Sequence, residues 1–117
     1  MATQQDIEFF SGNDVVLDCS FTDESTDLPF DLSGAQQLTY ALSKNARSAA
    51  ALITKTLSDG VVMVNPSNGQ VQIVLSAAES EPLNGVYYHE IRVVNALGKK
   101  LTLMFGQVTI AVNLIRN

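Results

Sequence analysis

Apolar and polar side chains alternate with a period of two along most of the chain, in short segments broken by Gly-, Asn-, Ser- and Pro-containing turns. That period predicts β-strands rather than helices. Over residues 14–21, Val15, Leu17, Cys19 and Phe21 fall on one face and Asp14, Asp18 and Ser20 on the other, with Val16 the apolar exception. Such a strand is covered on one side and wet on the other. Residues 37–42 repeat the pattern with Leu38, Tyr40 and Leu42, residues 70–75 with Val71, Ile73 and Leu75, and residues 86–94 with Tyr87, His89, Ile91 and Val93. In the last strand Leu101, Leu103 and Phe105 give way to Val108, Ile110, Val112 and Leu114, so the apolar parity flips across Gly106. A bulge at or near Gly106 is expected to absorb the shift. Shorter strands are predicted over 4–10, 52–57 and 61–64, one helical turn within 76–82, and either helix or loop over 44–51. The inward set is then Val15, Leu17, Cys19, Leu38, Tyr40, Ile73, Tyr87, His89, Ile91, Leu103 and Phe105. Strands of this number and spacing suit a sandwich or barrel.

Composition narrows the picture further. The 117 residues, 46% of them hydrophobic, fit one domain over 1–117 with a single core. Twelve acids against seven bases give a net charge of −5, which repels phosphate and argues against nucleic acid or an anionic membrane as partner. The single cysteine cannot form an internal disulfide. No apolar run is long enough to span a bilayer, and the N-terminal residues lack the basic-then-apolar order of a signal peptide. One His and no Trp leave little for a His-rich metal site, no cofactor is expected, and no G-x-x-x-x-G-K, G-x-S-x-G, C-x-x-C or H-E-x-x-H motif occurs. These residues point away from an enzyme.

Departures from alternation mark where covering is needed. Val61-Val62-Met63-Val64 is apolar on both faces, so a neighbouring subunit or another part of the chain must cover one of them. Phe10, Val112 and Leu114 raise the same question and join the run as candidate subunit contacts. Acidic residues Asp23, Glu24, Asp27 and Asp31 cluster in one loop without the regular spacing of a calcium site, which favours a solvated turn. Asp14 and Asp18 share a face, but on the solvent side, with no cleft for paired-carboxylate chemistry.

Leu28-Pro29-Phe30-Asp31-Leu32-Ser33-Gly34-Ala35 resembles the P-x-D-L-(S/T)-G-A entry to the third strand in small immunoglobulin-like proteins of tailed bacteriophages. Among these is the N-terminal module of baseplate upper proteins. Ser58-Asp59-Gly60-Val61, Asn68-Gly69-Gln70-Val71, Leu83-Asn84-Gly85-Val86-Tyr87 and Gly106-Gln107-Val108-Thr109-Ile110 follow in the same order. The resemblance implies an immunoglobulin-like antiparallel β-sandwich of about seven to nine strands. In that frame Cys19 and His89 stand where the two sheet-bridging cysteines would be, and the Tyr87 hydroxyl returns to an upstream backbone group to lock a corner. Cys19 and His89 could alternatively be read as a metal or nucleophile–base pair. Two ligands do not make a zinc site, however, and apolar neighbours raise a thiol pKa, so Cys19, Tyr40, Tyr87 and His89 are expected to be structural core.

The expected function is accordingly non-enzymatic: a virion structural protein of tail, baseplate or capsid surface, made in the host cytoplasm. Its expected partners are itself and other virion proteins, in a homo-oligomer or symmetric assembly. The alternative is a carbohydrate- or cell-surface-binding β-sandwich module, for which Tyr88 is the only tyrosine predicted to face outward.

Overall fold

The computed structural model describes residues 3–23, 26–45 and 50–112. Within them the chain is all-β, as the period of two requires. The strands are β1 (Thr3–Gln4), β2 (Ile7–Phe10), β3 (Val15–Ser20), β4 (Thr22–Asp23), β5 (Leu28–Pro29), β6 (Gln37–Ser43), β7 (Ile53–Leu57), β8 (Gly60–Asn65), β9 (Gln70–Leu75), β10 (Gly85–Val94) and β11 (Lys100–Ala111). A single helical turn, α1 (Ala77–Ser80), follows β9.

All but β4 and β5 belong to one sheet, in the order β1–β11–β10–β6–β7–β8–β9–β3, with β2 also on the outer side of β11. The sheet turns a corner between β7 and β8, which meet only through Thr56 with Gly60 and Leu57 with Val61. The two strands run parallel, and Ser58 and Gly60 take the positive φ values, 69° and 97°, of the tight connection between them. Beyond the corner the path doubles back, nearly barrel-like. Leu38, Tyr40, Leu42, Ile91, Val93, Met104, Val108 and Ile110 from one limb meet Cys19, Val61, Val71, Ile73 and Leu75 from the other in one buried cluster.

The corner is braced by α1. Ser76 and Glu79 form a reciprocal capping box, and the Glu79 carboxylate also receives the Lys55 ammonium of β7 at 2.6 Å. The Lys55 hydrogen bond, before any other cause, holds the Glu79 carboxyl below its ordinary range. On its other side α1 holds the β2–β3 turn: Asp14 Oδ1 accepts from the Ala77 N–H at 2.7 Å, and buried Ser80 accepts from the Gly12 N–H at 3.0 Å.

The Leu28 to Ala35 segment acts as a plug. Leu32 is buried, its N–H donates to the Pro66 carbonyl at 2.8 Å, and Asp31 accepts from both the backbone N–H and the hydroxyl of Ser33. These side-chain bonds tighten the turn that drives Leu32 inward.

Three expectations need correction. The strand predicted over 4–10 is interrupted at Gln5–Asp6, although β1 and β2 keep one register on β11. The bulge lies at Leu103, not at Gly106: Ile91 pairs with Met104 but Arg92 with Thr102, so Leu103 is the extra residue, and Leu103 and Met104 are both buried. Because the parity changes there, Phe105 points away from the core instead of into it, and it is only half-buried.

Candidate functional site

Tyr40, His89 and the Gln5 carbonyl form a chain of hydrogen bonds through the core. Tyr40 on β6 and His89 on β10 are both fully buried, their rings are edge-to-face, and the Tyr40 hydroxyl lies 3.0 Å from His89 Nδ1. His89 Nε2 lies 2.8 Å from the Gln5 carbonyl oxygen. A carbonyl only accepts, so Nε2 carries the proton, Nδ1 accepts, and the Tyr40 hydroxyl donates to it.

Gln5 reaches His89 because the β1–β2 strand is broken above Gly106. The Gln5 N–H bonds the Phe105 carbonyl at 2.8 Å, and Asp6 Oδ1 takes the Gln107 N–H at 2.9 Å in place of a backbone carbonyl. The Gln5 carbonyl is thereby free to cross Gly106, the residue paired with His89. Burial lowers the His89 pKa below the usual 6.5, against the opposing pull of the Gln5 carbonyl and the Asp6 carboxylate.

Cys19 sits near the other end of this seam, close enough to Tyr40 to add to the upward shift that burial gives the phenol. Burial, with help from Asp18, pushes the Cys19 thiol up to about 11, and the thiol makes a weak contact to the Leu17 carbonyl at 3.9 Å. Burial of this kind favours the neutral thiol over the thiolate at neutral pH. Among the described residues, no group of three or more His, Cys, Asp or Glu could hold a metal ion. Tyr87 is buried as well, and its hydroxyl donates to the Asn84 carbonyl at 2.9 Å while accepting from the Asn84 N–H at 3.0 Å. The four residues read as structural are thus all in the core, three of them along one seam.

The candidate contact residues do not form a single patch. Val61 is 1% exposed and belongs to the core, so it is no outer contact, and Met63 packs partly against the same core. Val62 and Val64 point out, 46% and 53% exposed. They share the outer face of β8–β9–β3 with Val74 and Val16, 39% and 53% exposed, which are direct cross-strand partners. Phe10 and Val112 are exposed at the end of β2 and β11, elsewhere on the sheet path. Leu114 lies outside the described residues, as do Glu24 of the acidic loop and 46–49 of the Ala-rich segment.

Sequence reading missed the contribution of Val16 and Val74. Each is an off-phase apolar residue in an otherwise alternating strand, and only the pairing of β3 with β9 shows that they touch.

A shallow surface hollow of about 360 Å³ is lined by Gln4, Lys44, Tyr87, Tyr88, Phe105 and Gln107 among others. The Lys44 ammonium lies 5.2 Å from the Tyr87 ring centroid there. The outward turn of Phe105 places it beside Tyr88, the tyrosine expected to face out. No protein-family model matches this chain, and comparison with curated proteins gives no match either.

Proposed function

We propose that the chain is a non-enzymatic, immunoglobulin-like module of a bacteriophage virion that joins copies of itself or neighbouring virion proteins. The observation that carries the assembly role is the outer face of β8–β9–β3, where Val16, Val62, Val64 and Val74 stand in water beside the polar Asp18–Gln72 pair, with a register shift in β8 at Val64. Exposed valines gathered on one sheet face are a contact surface awaiting its cover. The virion setting rests on the resemblance of the Leu28 to Ala35 segment and the motifs that follow it.

The strand order supports the sandwich reading. Neighbours β3–β9–β8 correspond to strands B, E and D of an immunoglobulin-like domain, and β11–β10–β6–β7 to G, F, C and C′. Cys19 on B and His89 on F then face each other through Tyr40.

The assembly role is tested by light scattering across a concentration series. Val62→Lys should keep the melting temperature, since the ammonium stays in water in the free chain. Association should fall, because burying that charge unpaired at a contact costs several kcal/mol. A wild-type chain that remains monomeric and binds a glycan array through the Tyr88 hollow would transfer the function to the carbohydrate-binding alternative. Immunogold labelling of purified particles tests the virion setting, and unlabelled particles would reject it.

A further inference from the structure

Among the described residues β3 has one hydrogen-bonded neighbour, β9, and no strand pairs with its other side. The Phe21 N–H donates to the Gly69 carbonyl at 3.0 Å, on the β9 side. By antiparallel alternation Val15, Leu17 and Cys19 also address β9, so the N–H and C=O groups of Val16, Asp18 and Ser20 address the open edge.

Side-chain burial shows the same gap. Cys19 is buried, but Val15 and Leu17 on the same inner face are only half-buried, as are Ile7 and Phe9 on β2. Asp18 is the one charge on this edge, and over Val15–Ser20 there is no proline, no lysine and no register shift against β9.

We infer that β3 of a second copy of this chain completes this edge, antiparallel across a two-fold axis, with Val16 opposite Asp18 of the partner subunit. The inference rests on the assembly reading above and names the edge and register it uses. Only edge-facing residues can pair directly, which leaves three registers with substantial overlap. Setting Val16 opposite Val16 of the partner subunit puts Asp14 opposite Asp18 of the partner subunit. Setting Val16 opposite Ser20 of the partner subunit puts the two copies of Asp18 face to face. Like charges directly opposite destabilise a ladder.

The remaining register opposes Asp18 to Val16 and Asp14 to Ser20. It also places Leu17 on the two-fold axis, in the close non-hydrogen-bonded pairing with Leu17 of the partner subunit, so that each covers the other's half-exposed side chain. Charge and burial therefore select the same register. Both carboxylates are already engaged on their own chain, Asp18 by Gln72 Nε2 at 2.8 Å and Asp14 by the Ala77 N–H at 2.7 Å, and neither must be stripped of partners for the edges to meet.

The register makes two charge substitutions at one position behave oppositely. Val16→Asp faces Asp18 of the partner subunit and should raise the dimer dissociation constant about tenfold or more, whereas Val16→Lys faces the same carboxylate and should leave it unchanged or lower it. If both substitutions weaken association alike, contact is made through the valine face and the edge pairing is wrong, while the assembly reading survives. A wild-type chain that stays at the 12.6 kDa monomer mass at every concentration overturns the edge pairing and self-assembly together.

Disulfide trapping gives an independent check. A mixture of Val16→Cys and Asp18→Cys chains should yield a cross-linked heterodimer on mild oxidation, since directly opposed strand residues have Cα separations of about 5.5 Å, within disulfide reach. Cross-linking by Val16→Cys alone, or none in the mixture, would overturn the register. Unchanged melting temperatures for the uncross-linked variants show that each remains folded.

Discussion

Gly106→Ala is expected to be among the most damaging single substitutions in this chain, costing about 2–6 kcal/mol of stability. A Cβ at position 106 would lie 2.1 Å from the Gln5 carbonyl oxygen and 2.7 Å from its carbon. Both are backbone atoms, so no flexible side-chain tip can swing away. Relief requires lifting the segment between β1 and β2 off β11. That movement takes the Gln5 carbonyl from His89 Nε2 and leaves a buried N–H unpaired, so strain of overpacking adds to an unmet hydrogen bond. Gly34→Ala is the matched control, because its Cβ would meet only the Ala96 Cβ at 3.1 Å. Chemical denaturation should rank Gly106→Ala far below both wild type and Gly34→Ala, and hydrogen exchange should show β1 and β2 losing protection first. A wild-type midpoint for Gly106→Ala would mean that the N-terminal strand does not cross at this point.

Gly106 also shows where reading the sequence succeeds and where it stops. Alternation located most of the strands, because a side chain that must be dry or wet reveals its face every second residue. Residues 37–42, 70–75 and 86–94 became β6, β9 and β10 with the expected faces inward. The parity flip in β11 was legible too, yet its position was not. A glycine beside a parity change reads as a bulge, but here Gly106 answers to the Gln5 carbonyl, more than a hundred positions away in sequence, while the extra residue is an ordinary Leu103.

The partial error over Val61-Val62-Met63-Val64 has a similar cause. An all-apolar run is symmetric under exchange of faces, so it shows that both faces are covered or coverable without showing which is core. The two-residue strands β4 and β5 were too short to carry any period. Cys19, Tyr40, Tyr87 and His89 were legible as core because they fell in phase with aliphatic residues, but the Gln5 backbone carbonyl that completes the seam has no sequence signature at all.

His89→Leu is expected to cost about 2–5 kcal/mol and to abolish one component of the pH dependence of stability. The leucine fills most of the space, but it leaves the buried Tyr40 hydroxyl without an acceptor and the Gln5 carbonyl without its donor. In the wild type the folded state holds His89 neutral, with its pKa below 6.5, chiefly because burial disfavours the cation. The unfolded chain takes up a proton near 6.5, so between that value and the lower folded one the unfolded state binds more protons. Stability therefore rises with pH across this window. The His89 contribution is complete above about 6.5 and is lost as the pH falls toward the folded-state pKa. Glu79 and Asp31, whose pKa values are lowered by hydrogen bonds from Lys55 and Ser33 respectively, lose their contributions only at and below the ordinary carboxylate range, so they do not blur the histidine window. Denaturant midpoints measured from pH 7.5 down to 5.5 should fall for the wild type and stay level for His89→Leu. A level wild-type profile would show that the imidazole is not held neutral in the core, and an equal slope in both proteins would assign the dependence to another group.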